Sequence, residues 1–487
     1  MDRAEKRRRQ KHAAKVAGLG TIPQAFTEAV KLHQAGDVAG AEKLYARVLE
    51  HDPGHVDALS NRGLALVSLE RFEAAVSCFE SAISVTPTAP DLYFNLGTAL
   101  DELWRYDDAA RAYKHCIALA PEYAQAHYNL AGLMMSASRP LDAVAHYRDA
   151  IAAYPGYAEA HFGLGVALQE AEQFDDAIKS YQQTVLYQPN HAGAHANMGF
   201  SLKELGQFEE AHEAYRKAIE LDPDNSKILS TMCDVHLAAG DPATGLKLCD
   251  VFLETHPGDV SAMAFKAAAL NELCNDDDLR AVHDFDQLVR PQIVDVPDGF
   301  ADLDAFNEAL VTHILNHPTL VEAPASYSTM NGRHTSELFA GEDLGPMVAF
   351  EHVIRAAEAA YRKDVPIDPT QSWRAQRPQK TKLNCWSVVM NSQGHQLSHI
   401  HPSGWLSGVY YPRLPDVIDD DDPHHEGWIE FGRTTDNYSG KKDPDVRLYK
   451  PREGLMVLFP SYFYHRTIPF HSDQLRFSIA FDICPDD

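Results

Sequence analysis

Proline recurs at Pro53, Pro87, Pro121, Pro155, Pro189, Pro223, Pro257 and Pro291, a strict 34-residue spacing. Nothing else in the chain restricts its fold as strongly. Small residues keep the same phase at Gly63, Gly97, Ala131, Gly165 and Gly199, and again at Ala41, Ala75, Ala109, Ala143, Ala177, Ala211 and Gly245. Aromatic rings keep it at Phe79, Tyr113, Tyr147, Tyr181 and Tyr215. A unit of this length with fixed small and aromatic positions and a terminal proline reads as two helices, the second stopped by the proline. Such a pair buries its apolar face only against the next pair. From about Thr21 to Pro291 the expected architecture is therefore an all-α solenoid of eight helical pairs.

The period is that of tetratricopeptide repeats. Gly163-Leu164-Gly165 falls in the packing phase and is repeat packing rather than a phosphate loop. Cys249 replaces the aromatic of the seventh repeat, and Asn275 to Asp278 breaks the pattern of the eighth, as expected where a solenoid is capped against another domain. Arrays of this kind present a concave groove that takes extended peptides. Asn61, Asn95, Asn129 and Asn197 share one repeat position, interrupted by Gly163, and are candidates for an amide ladder along that groove. Asparagine serving local repeat structure is the alternative.

The formal charge of −27 argues against nucleic acid or an anionic membrane as the main partner, because phosphate binding needs a basic stripe. Seven cysteines without Cys-x-x-Cys pairs fit reduced, buried thiols in a cytoplasmic protein. Arg3 to Lys15 is basic and without an apolar run, so residues 1–20 read as a polar tail, neither secretory signal nor membrane span.

Residues 292–378 change character: Val294 to Gly299 is linker-like, Leu303 to Asn316 and Leu344 to Arg362 read as helices, and Ser328 to Glu342 as polar loop. They are expected to buttress the final segment, 379–487. There, Trp386 to Met390, Ser407 to Tyr411, Leu455 to Phe459 and Phe477 to Phe481 are rich in Val, Ile, Phe and Tyr and read as strands.

Three short segments among those strands carry the chemistry: Ser398-His399-Ile400-His401-Pro402, then Phe459-Pro460-Ser461-Tyr462-Phe463-Tyr464-His465, then Arg476-Phe477-Ser478. On extended backbone, positions i and i+2 share a face, so His399 and His401 project together. With His465 from another strand they make a facial metal triad, whose imidazoles suit Fe, Zn, Cu and Ni alike. Arg476 is permanently charged and matches a carboxylate in bidentate fashion, which points to a small dicarboxylic cosubstrate beside the metal. His424 and His425 lie in the acidic segment Asp416 to Gly427 and read as part of a solvated loop.

His399-x-His401-Pro402, Gly454-x-x-x-x-Phe459-Pro460, His465 and Arg476-x-Ser478, with Asn384-Cys385-Trp386 and Ser407-Gly408-Val409-Tyr410-Tyr411, resemble the iron(II)- and 2-oxoglutarate-dependent oxygenases, in particular a bacterial 2OG-Fe(II) oxygenase family. The resemblance runs from about Val294 onward. It implies a double-stranded β-helix (jelly-roll) barrel, with Fe(II) bound by His399 and His465 and the distal carboxylate of 2-oxoglutarate held by Arg476 with Ser478. Tyr411 and Asn384 are weaker candidates for cosubstrate-pocket roles. His401 stands where most such oxygenases carry Asp or Glu. It is either a third ligand or a residue behind the ligands. Aspartate/asparagine β-hydroxylases, which also place tetratricopeptide repeats before the oxygenase, are similar in lacking the carboxylate.

The resulting expectation is an enzyme with Fe(II), 2-oxoglutarate and O2 as cofactors and cosubstrates, hydroxylating a side chain of a protein or peptide recruited by the repeats. The alternatives are a repeat scaffold with an inactive or cupin-like metal-binding barrel, and an oxygenase that tailors small molecules.

Overall fold

The residue before a proline avoids the helical region, and this stops the second helix of each repeat two residues short of its proline. In a computed structural model, which describes residues 21–323, 328–340, 344–369, 371–418, 422–435 and 440–486, Asp52, Thr86 and Ala120 end their helices with φ near −135° and ψ near +80°. The basic segment Arg3 to Lys15 lies outside the described residues. Two compact units are present, Met1–Ser201 and Leu202–Asp487.

The first unit holds helices Ile22–Gln34, Val38–His51, Val56–Ser68, Phe72–Val85, Pro90–Glu102, Tyr106–Leu119, Ala124–Ser136, Pro140–Ala153, Ala158–Glu170 and Phe174–Tyr187 and most of Ala192–Glu204. The in-phase glycines are explained by the in-phase rings. A Cβ on Gly63, Gly97 or Gly165 would meet the ring of Phe79, Tyr113 or Tyr181 at 2.5–2.6 Å. Each ring is fully buried and seals its helical pair.

The candidate amide ladder has local partners. Asn129 Nδ2 donates to the Tyr113 hydroxyl at 3.1 Å, sixteen residues back, and at the same interval Asn61 and Asn197 lie beside the hydroxyls of Tyr45 and Tyr181 and lower their pKa against the larger rise that burial causes. At Gly163, the interruption, a Cβ would meet the Tyr147 ring at 2.5 Å. Asn61, Asn129 and Asn197 therefore serve ring hydroxyls, whereas Asn95 stands sixteen residues after Phe79, which has none.

The second unit opens on helices Phe208–Leu221, Ser226–Ala238, Pro242–Thr255 and Val260–Glu272. In its seventh repeat the small and aromatic positions become Cys233 and Cys249, buried thiols whose sulfurs lie 3.4 Å apart. The last helix of the array is broken into Asp276–Val282 and Phe285–Leu288, and Pro291 ends no helix. It sits instead in strand β1 (Arg290–Ile293), opposite Val457, which corrects the expectation for the eighth proline.

Nine further strands follow: β2 (Val321–Glu322), β3 (Thr329–His334), β4 (Thr381–Gln396), β5 (Leu406–Arg413), β6 (Ile429–Phe431), β7 (Arg447–Tyr449), β8 (Leu455–Pro460), β9 (His465–Thr467) and β10 (Arg476–Pro485). They form two antiparallel sheets, one of seven strands in the order β1-β8-β5-β10-β4-β3-β2 and one of three, β7-β6-β9. Among the described residues no ladder closes these sheets into a barrel. The four stretches expected as strands lie in β4, β5, β8 and β10.

Along β10 successive side chains face opposite ways. Phe477, Ile479, Phe481 and Ile483 share one face and are buried. Helices Leu303–Leu315 and Met347–Asp364 cover that side, with Phe350 5.2 Å from Tyr410 and 6.2 Å from Phe481 and the Tyr410 hydroxyl donating to Asn307 at 2.5 Å. Arg476, Ser478, Ala480 and Asp482 share the other face. No helix among the described residues is long and apolar enough to cross a membrane.

Candidate metal centre

His399 follows the end of β4, and its peptide group exchanges both hydrogen bonds with that of His465 at the start of β9, each 3.1 Å. The His401 N–H donates to Ser461 O at 3.0 Å. These backbone bonds hold the His-x-His segment extended against the chain that enters β9, so three rings meet. Their centroids are 5.2 Å (His399 to His401), 4.3 Å (His399 to His465) and 5.0 Å (His401 to His465) apart.

What each Nδ1 touches sets the ring's tautomer. His399 Nδ1–H donates to Leu397 O at 2.7 Å and His465 Nδ1–H to Phe463 O at 3.0 Å. His401 Nδ1–H donates to the carboxylate of Asp482 at 2.5 Å, and both side chains are buried. With all three protons tied back, three Nε2 lone pairs remain. His401 Nε2 is buried with no hydrogen-bond partner. One ligand atom from each ring lies within 4.8 Å of the others. Burial, and then the neighbouring imidazoles, push His465 well below the usual histidine range and His399 down to about 3. Both rings stay neutral at physiological pH, the form that ligates a metal.

Asp482 was not singled out by sequence reasoning. Ser407 Oγ–H donates to the same carboxylate oxygen at 2.7 Å and is 2.7 Å from Ser461 Oγ, so the carboxylate is held from two sides. A carboxylate behind a ligating histidine fixes the ring and raises its basicity. The available signal was strand alternation, which puts Asp482 on the face of Arg476 and Ser478.

His399, His401 and Asp482 line a cavity of about 310 Å³, together with Thr329, His334, Trp386 and Gln396. The Trp386 ring lies 5.4 Å from His401 and 6.2 Å from His334, whose pKa burial lowers.

Arg476 is the largest fully buried side chain among the described residues. Its guanidinium lies 5.0 Å above the ring of buried Tyr411, with Nη1 3.5 Å from Ser478 Oγ and 4.0 Å from Met390 Sδ. Its Nε has no partner, and among the described residues no carboxylate pairs with it. A bulge places Tyr411 there. Phe477 faces Arg413 and Ile479 faces Tyr410, so Tyr411 and Pro412 together stand opposite Ser478. Pro412, which has no N–H to give, suits that break in the ladder. A desolvated guanidinium with no counter-charge is unfavourable alone and is a ready seat for an anion.

Arg476, Ser478 and Tyr411 do not line the cavity beside His399 and His401, and the remaining sequence candidates fall elsewhere. Asn384 stands opposite Asp482 across the ladder, its amide 3.6 Å from Cys484 Sγ, and does not line the cavity. His424 is exposed in a turn capped by Asp422, and His425 packs on Trp428 at 4.7 Å, so neither joins the triad.

Residues 384–482 match the family model described as "Putative 2OG-Fe(II) oxygenase". Tetratricopeptide-repeat models match residues 63–103, 94–158, 134–198 and 192–225. No curated protein matches the chain. Among solved structures, MamA is 25% identical and the match covers 34% of this chain and 96% of that one, with a TM-score of 0.32. YrrB, titled a TPR protein with an unusual peptide-binding site, is 22% identical over 38% of this chain and 95% of its own, at 0.36. PilF of Pseudomonas aeruginosa is 16% identical over 42% and 92%, at 0.37.

Proposed function

We propose, for a chain that joins tetratricopeptide repeats to a 2OG-Fe(II) oxygenase domain, that the domain uses Fe(II), 2-oxoglutarate and O2 to hydroxylate a side chain of a protein or peptide recruited by the repeats. The two antiparallel sheets are then the faces of a double-stranded β-helix. The observation that carries this reading is the convergence of three histidines whose Nδ1 protons are all tied back, leaving three Nε2 lone pairs for one ion. When bound, iron with 2-oxoglutarate supplies oxygen activation and the oxidising power to hydroxylate a C–H bond, with succinate and CO2 as co-products.

The chain's own contribution is binding and orientation. His399, His401 and His465 hold the metal as neutral ligands. Asp482 supplies, one hydrogen bond away, the negative charge that a carboxylate ligand would bring directly. Arg476 with Ser478 pairs with a carboxylate of the cosubstrate, and Tyr411 supports the guanidinium from below. The buried, uncompensated Arg476 favours this reading over a bare metal-binding scaffold, which has no use for such a charge.

Anaerobic titration with Fe(II) and 2-oxoglutarate tests it. The expected result is the weak visible charge-transfer band of a chelated 2-oxo acid, lost in His399→Ala. Iron binding without that band would reject the oxygenase reading.

A further inference from the structure

In the fourth repeat a second histidine cluster lies far in sequence from the oxygenase domain and plays no part in its chemistry. His127, on helix Ala124–Ser136, is buried. Its Nε2–H donates to Pro121 O at 3.0 Å, which leaves a lone pair on Nδ1. His146, on the following helix Pro140–Ala153, places its own Nδ1 3.3 Å from that atom. Asp149, one turn along, brings a carboxylate oxygen to 3.7 Å from His127 Nδ1 and 4.0 Å from His146 Nδ1.

The other repeats are internal controls. The residue 34 before His127 is Tyr93, whose hydroxyl donates to Pro87 O; those 34 and 68 after it are His161 and His195, which reach Pro155 O and Pro189 O through Nε2. Bonding the preceding proline's carbonyl is thus the structural duty of this position. It accounts for one nitrogen of His127; the other lies within hydrogen-bonding distance of His146 Nδ1. The positions of His146 and Asp149 hold Ala112 and His115 one repeat earlier and Ser180 and Gln183 one repeat later. Of these three repeats only the fourth sets both a second histidine and a carboxylate beside the Nδ1 of its His127.

We propose that His127, His146 and Asp149 form a second metal site, for a divalent transition ion of the Zn2+ class, which pins the two helices of the fourth repeat. Two nitrogens each ~2.0 Å from a tetrahedral ion lie about 3.3 Å apart, which matches the observed separation. Asp149 is exposed and free to close the remaining distance, and water completes the shell. Two imidazoles and one carboxylate suit Zn2+, Co2+ or Ni2+, whereas Mg2+ and Ca2+ select all-oxygen shells.

The test uses the full chain carrying His399→Ala and His465→Ala, so that the oxygenase triad takes no ion. Co2+ is titrated while the intense visible absorption of a tetrahedral site is followed. One equivalent is expected to bind and give the band. His146→Ala should abolish it, and Asp149→Ala should weaken binding about tenfold or more. His127→Tyr installs the residue that the third repeat carries at the same place, so the array should stay folded by circular dichroism while the band is lost. Thermal unfolding should shift upward with Zn2+ in the parent chain and not in His146→Ala. Absence of a tetrahedral band, or a band that survives His146→Ala, overturns the site.

Discussion

A histidine in the place of the usual carboxylate would leave a divalent ion facing three neutral donors, and Asp482 alters that balance from behind. Because its carboxylate holds His401 Nδ1–H at 2.5 Å, the pair acts as one anionic ligand with Nε2 as its contact atom. Asp482→Asn keeps the shape and removes the charge. It should weaken Fe(II) about 10- to 100-fold, read by competition with a chromogenic chelator, while circular dichroism stays unchanged. Equal affinities would mean that Asp482 is only a packing partner. Arg476→Ala removes the buried counter-charge for a carboxylate and should weaken 2-oxoglutarate by roughly 2–3 kcal/mol, about 30- to 150-fold, with iron affinity held. Equilibrium dialysis of labelled 2-oxoglutarate in the presence of Fe(II) measures this. The histidines and Arg476 were legible because their spacing carries the chemistry. Asp482 was hidden because pairing it with His401 requires knowing how residues 81 apart come together.

Elements whose contacts are local were the most legible. Each repeat packs on its neighbours, so a 34-residue period states both the helices and their partners. What the period does not announce is the turn between the two helices of a repeat. That turn needs one left-handed residue, supplied by Gly36, Gly206 and Gly240 in three repeats and by Glu70, Trp104, Ser138, Glu172 and Cys274 in the other five. A side chain costs energy there that glycine avoids, partly offset by glycine's greater freedom in the unfolded chain. Glu172, at φ +57°, is exposed and is the clean case. Glu172→Gly should stabilise the protein by about 0.5–1 kcal/mol in urea unfolding, while Glu172→Ala gives no such gain. Strands β4, β5, β8 and β10 were legible from their β-branched and aromatic runs, whereas β3 lies in the stretch Ser328 to Glu342 that reads as polar loop; the strand order was not legible, because β1-β8-β5-β10-β4-β3-β2 joins segments far apart in sequence. The same non-local pairing took Pro291 out of the helical register.

For the whole molecule, pH acts through two opposed effects. With a formal charge of −27, mild acid relieves self-repulsion and favours the compact state. Against this stand imidazoles that the fold keeps neutral. His283, half-buried, is one outside the triad: its ring lies 4.4 Å from Phe285 and 4.5 Å from Phe463, and desolvation pushes its pKa from 6.5 down to about 4. The unfolded chain protonates this histidine below pH 6.5 and the folded one does so only near pH 4. The stabilising preference for the native state is therefore complete above pH 6.5 and is lost progressively as the pH falls toward 4, by at most ~1.4 kcal/mol per pH unit. Because charge relief runs the other way, absolute stability hides this loss and a difference between variants reveals it. His283→Phe keeps an aromatic ring against Phe285 and Phe463 and cannot protonate. Its urea midpoint, measured with chelator present, should gain on the parent steadily from pH 7 to pH 5. A gap that stays constant over that range would mean that His283 is protonated as readily in the folded protein as in the unfolded one.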